Sequence, residues 1–243
     1  DQNIVDEGYN LSVSSDGVIV AASSTSGFFY ASQSLDQLID KDLSICFLRI
    51  NDHPRFPHRG LMLDVCRHFF DISTIKFILT EMSHYKLNKF HWHLTEDQGW
   101  RLEIKKYPKL TEIGSKRDSS PVIFNRTALD DVPYGPYFYT QAEVKEIVEF
   151  AKKLHIDVIP EIEMPGHSMA SLASYPQHSC TGGPFKTRCN WGIESDIYCA
   201  GNDDTIQFLE NVLDETTELF DSQFVHIGGD ESPKERWKEC PKC

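Results

Sequence analysis

Residues 89–97 read Lys89-Phe90-His91-Trp92-His93-Leu94-Thr95-Glu96-Asp97, an apolar run whose end turns abruptly polar. A run this short and this aromatic fits a buried strand, and the acids at its close mark where the chain leaves the sheet. Three other stretches share the pattern. Residues 60–65 lead into Asp64-Val65-Cys66-Arg67-His68, residues 157–162 into Glu161-Ile162-Glu163-Met164-Pro165-Gly166-His167, and residues 224–227 into His226-Ile227-Gly228-Gly229-Asp230-Glu231. Helical patterns separate them. The first places Ile75, Ile78, Leu79 and Met82 on one face. The second opens on the capping box Thr140-x-x-Glu143 and aligns Val144, Ile147, Val148, Ala151 and Leu154, and the third covers residues 203–220. Strands alternating with helices imply a parallel sheet.

Residues 1–54 read as the end of a separate small α/β unit. Residues 9–13 and 18–22 alternate like strands around Ser15-Asp16-Gly17, and residues 27–39 have helical spacing. Arg55-Phe56-Pro57-His58 reads as a linker that opens the second region, 55–243. In that region the connections are lopsided: each helix returns to the next strand within about five residues, whereas the second and third strands lead into loops of roughly 40 residues or more. Long loops gathered after the carboxyl ends of parallel strands are how a TIM (β/α)8 barrel builds a substrate site. A doubly wound sheet is the alternative, but no Gly-x-Gly-x-x-Gly follows the first strand. A full barrel takes eight βα units over about 250 residues, and only about the first four are recognisable here. The first and fourth strands would then be apolar edges needing cover from a second fragment or further chain.

The formal net charge of −13 argues against a nucleic-acid partner, which requires clustered Lys and Arg. No apolar run reaches the roughly 18 residues of a membrane span, and the polar start Asp1-Gln2-Asn3 is not a signal peptide. Five of the seven cysteines (Cys180, Cys189, Cys199, Cys240, Cys243) fall in the last 64 residues, which points to an oxidising compartment. The sequons Asn10-Leu11-Ser12 and Asn125-Arg126-Thr127 agree with a lysosomal or secreted protein. The odd count leaves one thiol over, for which Cys66 and Cys46 are the candidates. Cys240-Pro241-Lys242-Cys243 has metal-ligand spacing, but no second pair at matching spacing completes a zinc site.

Polar residues at four strand ends face one basin. Carboxylates with an arginine and histidines suit acetal cleavage, in which an acid protonates the departing oxygen and a negative group steadies an oxocarbenium-like centre. Asp230 or Glu231 can supply the acid. Neighbours in sequence cannot flank opposite faces of a sugar ring, so the nucleophile comes from elsewhere or from the substrate. Zinc hydrolysis through His91 and His93 is the rival chemistry, and a buried, satisfied role for these histidines is the plain one. No flavin, pyridoxal or nucleotide signal is present, and neither a cofactor nor a catalytic metal is expected.

The four blocks, Arg59-Gly60-Leu61-Met62-Leu63-Asp64 through Arg67-His68, His91 through Gln98, Pro160 through His167, and His226 through Glu231, resemble the family 20 glycoside hydrolases, the β-N-acetylhexosaminidases. Residues 9–40 resemble the end of the small zincin-like α/β domain that precedes their barrel. The resemblance implies Glu231 as general acid and base and Asp230 as the carboxylate that orients the substrate's 2-acetamido group, whose oxygen attacks the anomeric carbon. Substrate assistance of this kind makes a protein nucleophile unnecessary. It implies Arg67 as a ligand of sugar hydroxyls, Glu163 and His167 as a relay touching the acid, and Glu96 and Asp97 as a pair at the substrate. It also implies a disulfide from the loop after the third strand to Cys240, with Cys180, Cys189 and Cys199 as candidates. The implied partners are a glycan or chitooligosaccharide, the C-terminal half of the barrel, and a second hexosaminidase subunit in a homodimer or heterodimer. The aromatic walls of the sugar site belong to that second half in this family, so this chain alone is expected to turn over little. A non-catalytic glycan-binding relative is the remaining alternative.

Overall fold

The computed structural model describes residues 4–122 and 125–243, and all their side chains except those of residues 125–127. The polar start Asp1-Gln2-Asn3 and the side chains of the second sequon lie outside the described residues. The chain begins with strands β1 (Tyr9–Ser14) and β2 (Gly17–Ala22), helix α1 (Thr25–Leu38) and strand β3 (Leu48–Asp52). These form an antiparallel sheet in the order β2-β1-β3, on which α1 packs through Tyr9, Leu11, Tyr30 and Ala31. β3 is not anticipated from the sequence, because Leu48-Arg49-Ile50-Asn51-Asp52 is half polar and becomes a strand by pairing with β1.

The larger region runs through β4 (Gly60–Asp64), α2 (Ile72–His84), β5 (Lys89–His93), the small hairpin β6 (Thr95–Glu96) and β7 (Gly99–Trp100), α3 (Lys109–Glu112), and a second hairpin of β8 (Pro121–Val122) and β9 (Asn125–Leu129). It continues with α4 (Gln141–Lys153), β10 (Asp157–Glu161), α5 (Met169–Ser174), α6 (Asp203–Thr217) and α7 (Glu235–Glu239). β4, β5 and β10 form a parallel sheet in the order β10-β5-β4. Helices α2 and α4 start where a side chain satisfies their free amides: Asp71 Oδ1 accepts from Thr74 N at 2.8 Å, and Thr140 and Glu143 close the expected box at 3.2 and 2.8 Å. Phe90, Trp92 and Val158 are buried with Ile75 and Leu79 of α2, Val144 and Ile147 of α4, and Phe208 and Val212 of α6. With a period of two, the opposite face carries Asp64, His91, His93 and Glu161.

The expected fourth strand is less than a strand. Residues 224–227 meet β10 at one bridge, Glu161 to His226, through His226 N to Pro160 O at 2.9 Å and Ile162 N to His226 O at 3.0 Å. The segment is paired on one side only, and Gly228 and Gly229, at φ 61° and 106°, turn it away at once. Phe224 and Ile227 stay exposed there, as do Leu61 and Met62 on β4 at the opposite edge.

Two polar clamps tie the small sheet to the large one. Arg59 reaches Glu7, Tyr30 and the Lys86 carbonyl, and Lys86 Nζ reaches Asp52, Tyr9 and Ser34. Deeper in, Arg101 is fully buried and donates to four carbonyls: Cys66 at 2.6 Å, Tyr137 at 2.8 Å, Ser115 at 2.9 Å and Val65 at 3.2 Å. It thereby binds the end of β4 to the long loop that follows β5. Replacement by leucine would leave these carbonyls without donors. We expect Arg101→Leu to cost about 3–5 kcal/mol, seen as a lower denaturant midpoint, whereas a loss under 1 kcal/mol would contradict this role.

Candidate active site

Parallel register sets the first layer of the site. Asp64 and Glu161 both stand level with His93, one on each neighbouring strand. Glu161 Oε2 accepts from His91 Nε2 and His93 Nδ1, both at 2.6 Å, and its Oε1 lies 2.7 Å from His226 Nδ1. Burial alone would raise the Glu161 carboxyl, but His91 and His93 outweigh it and hold the group well below the usual carboxylate range. Burial likewise opposes a charge on His93, yet its bonds to Glu161 and Glu96 lift it to about 10. His91 and His93 thus each direct a ring nitrogen at this carboxylate. Glu161 is visible in the sequence at a strand end but receives no role there. The available signal is its register opposite two same-face histidines.

The second layer lies in the β6–β7 hairpin. Glu96 is 2% exposed and Asp97 0%. Glu96 Oε1 pairs with Arg67 Nη2 at 2.5 Å, while Oε2 accepts from Asp97 N at 2.7 Å and lies 3.2 Å from His167 Nδ1. Burial would raise Glu96, and His167, His93 and Arg67 together bring it down to about 2. Asp97 lies 3.4 Å from His167 Nδ1 and accepts from Met169 N at 3.0 Å, capping the loop that carries this histidine. The sequence reading places Glu96 and Asp97 at the substrate, and in the structure their partners are protein groups. Both are enclosed by protein, and what they hold is Arg67 and His167.

Arg67 is the member of this layer that opens to solvent. Fixed by Asp64 at 2.9 Å and by Glu96, with its own carbonyl bonded to Arg117, it borders a cavity of about 390 Å³ also lined by His68, Gln98, Tyr134 and Trp191. That volume suits a small polar ligand.

The third layer is the turn after residue 227. Asp230 and Glu231 have side chains 65% and 51% exposed, and Glu231 adopts a left-handed φ of 42°. His167 Nε2 stands 3.6 Å from Asp230 Oδ2 and 3.4 Å from Glu231 Oε2. Interactions with Asp97 and Glu96 outweigh burial and raise this histidine to about 11, and its Nε2 faces both acids. Glu163, the other member of the expected relay, lies beneath this turn. Its carboxylate lies against Gly228, where any side chain would occupy the same space, and its Oε2 has no hydrogen-bond partner among the described residues. Burial first, then the charge of Glu161, pushes Glu163 up to about 8. His167 therefore reaches Glu231, and Glu163 lies under the glycine turn that leads to it.

Family models support the same region independently. The model described as "Glycosyl hydrolase family 20, catalytic domain" matches residues 56–243, and "Glycosyl hydrolase family 20, domain 2" matches residues 1–53. The Beta-hexosaminidase of Porphyromonas gingivalis is 47% identical over 98% of this chain and 31% of its own length. A crystal structure of a beta-N-acetylhexosaminidase superposes with a TM-score of 0.92 at 37% identity, covering 99% of this chain and 51% of that one. The GH20 Exo beta-N-Acetylglucosaminidase from Vibrio harveyi in complex with N-acetylglucosamine gives 0.85 at 36% identity, covering 100% and 39%. The chain spans about a third to a half of the length of these relatives. They share a TIM-barrel fold, and with its strand ends and their acids in this arrangement the chain belongs to glycosyl hydrolase family 20.

Proposed function

We propose that region 55–243 is the front half of the barrel of an exo-acting β-N-acetylhexosaminidase, following the end of a zincin-like unit at 1–54. On this reading it removes terminal β-linked N-acetylglucosamine or N-acetylgalactosamine with retention. The observation that carries the proposal is the placement of His167 Nε2 against two adjacent, exposed acids, Asp230 and Glu231. Adjacent acids cannot attack one face of a sugar and protonate the other, and the resemblance to family 20 assigns the attack to the substrate's acetamido oxygen. Asp230 orients the acetamido N–H and balances the positive charge of the oxazolinium ring. Glu231 gives its proton to the leaving oxygen, then takes one from the water that opens that ring. Arg67 holds sugar hydroxyls with bidentate geometry, for which Asp64 and Glu96 fix its plane. The Vibrio harveyi relative's complex with N-acetylglucosamine supports the choice of sugar.

Glu163, His167, Glu96 and Asp97 act through other groups and are positioning residues. The exposed apolar edges at Leu61 and Met62 and at Phe224 and Ile227 are to be covered by further barrel strands, which also wall the sugar site. Activity assays therefore belong in the protein carrying those strands.

There, Glu231→Gln should lower kcat by about 10²–10⁴ with KM little changed, and unchanged turnover of a chromogenic N-acetylglucosaminide would remove Glu231 from the mechanism. Arg67→Lys keeps the charge but loses the fork, and should raise KM by about tenfold or more; an unaltered KM would dissociate Arg67 from substrate. A third expectation concerns pH. The folded state retains a proton on Glu163 between its ordinary 4.5 and about 8, a proton the unfolded chain releases, so this group makes stability fall as pH rises through that window. Glu163→Gln should flatten the decline by up to about 1.4 kcal/mol per pH unit, measured by denaturant unfolding across the window, and parallel curves for the two proteins would rule out a buried, proton-holding Glu163.

A further inference from the structure

Four thiols converge on the far side of the loop after β10. Cys180 and Cys199 come from that loop, and Cys240 and Cys243 follow α7. The sulfurs all lie within 4.8 Å of one another, with Cys199 to Cys243 at 3.5 Å, Cys180 to Cys243 at 3.7 Å and Cys199 to Cys240 at 3.8 Å. A disulfide needs about 2.05 Å, whereas thiolates at about 2.3 Å from one tetrahedral zinc ion are separated by roughly 3.8 Å. The observed separations belong to the second arrangement. The single Cys-x-x-Cys in the sequence lacks a matching pair by spacing, and the fold supplies one in Cys180 and Cys199, nineteen positions apart.

We propose that Cys180, Cys199, Cys240 and Cys243 hold one structural zinc ion. Four protein sulfurs leave no open position, so the ion does no chemistry on substrate. Its four ligands lose their protons to solvent as it binds. Gly201 N donates to Cys243 Sγ at 3.3 Å. The site also answers a packing need. No residue of α7 is buried, and the helix is otherwise tied down by Trp237 Nε1 donating to Tyr198 O at 2.9 Å and by Arg236 pairing with Asp196 at 3.1 Å. The ion would clamp the segment that follows Asp230 and Glu231 to the loop whose beginning carries His167. Cys46, Cys66 and Cys189 take no part, and Cys66 is buried at the end of β4 with its thiol donating to His93 O at 3.3 Å.

The test is to purify the protein without chelator or reductant, measure metal by plasma mass spectrometry, and titrate thiols after unfolding in chelator. The expected result is one zinc per chain with all seven thiols titratable. Cobalt exchange should produce the intense visible bands of a tetrahedral tetrathiolate. Cys189→Ser should keep the zinc and Cys243→Ser should lose it. Absence of metal with only three titratable thiols means two disulfides, as an oxidising compartment would produce, and overturns the proposal. Seven free thiols that take up neither added zinc nor cobalt overturn it equally.

Discussion

Carboxylates removed from water are the constraint around which this molecule is arranged. Glu96, Asp97, Glu161 and Glu163 are almost wholly buried at the ends of β5, β6 and β10. An unpaired charge in such a place costs several kcal/mol, and the surrounding architecture supplies the compensation. His91, His93 and His226 come from two neighbouring segments to serve Glu161, while Arg67 and His167 come from separate loops to serve Glu96. Glu163 has no ion pair among the described residues and, with burial outweighing the nearby His93, is held up near 8 instead. Strand register brings these groups level, and neutralising them requires the loops to settle in one arrangement.

The same requirement orders the layers outward from the sheet. Glu161 joins strands, Glu96 and Asp97 join a hairpin to the loop bearing His167, and only then do Asp230 and Glu231 stand in solvent. Arg101 does for uncharged carbonyls what the histidines do for carboxylates, bringing the end of β4 together with residues 115 and 137. Arg67 is held from both sides by this work, by Glu96 beneath it and by Arg117 on its carbonyl.

Much of this was legible in the residues. The alternation of β4, α2, β5, α4, β10 and α6 follows from apolar period and from the Thr140–Glu143 box, because those helices each bury one continuous stripe. Asp230, Glu231, Arg67 and His167 were recognisable because they sit at strand ends within four resembling blocks. What could not be read depends on contacts remote in sequence. β3 exists through pairing with β1, the segment 224–227 is weak because it has a single neighbour, and β6, β7 and β8, of two residues each, are too short to show a period. The enclosure of Glu96 and Asp97 depends on a loop seventy residues away. The partnership of Cys180 and Cys199 with the final cysteines is likewise a fact of three dimensions.

Asp97 also bears on how such a chain can diverge. Its side chain caps the start of α5 through Met169 N, its carbonyl accepts from Arg188 N at 2.9 Å, and the adjacent Gln98 donates to Asn190 O at 2.8 Å. The loops after β5 and β10 are thus stitched together, at residues 97 and 98 on one side and at 169, 188 and 190 on the other. A change of length in either loop strands its partner in the other. Variation is pushed outward to the β8–β9 hairpin, which lies beyond the stitches, so new substrate ranges in such a scaffold would evolve at the rim while the stitched segments are inherited as one block.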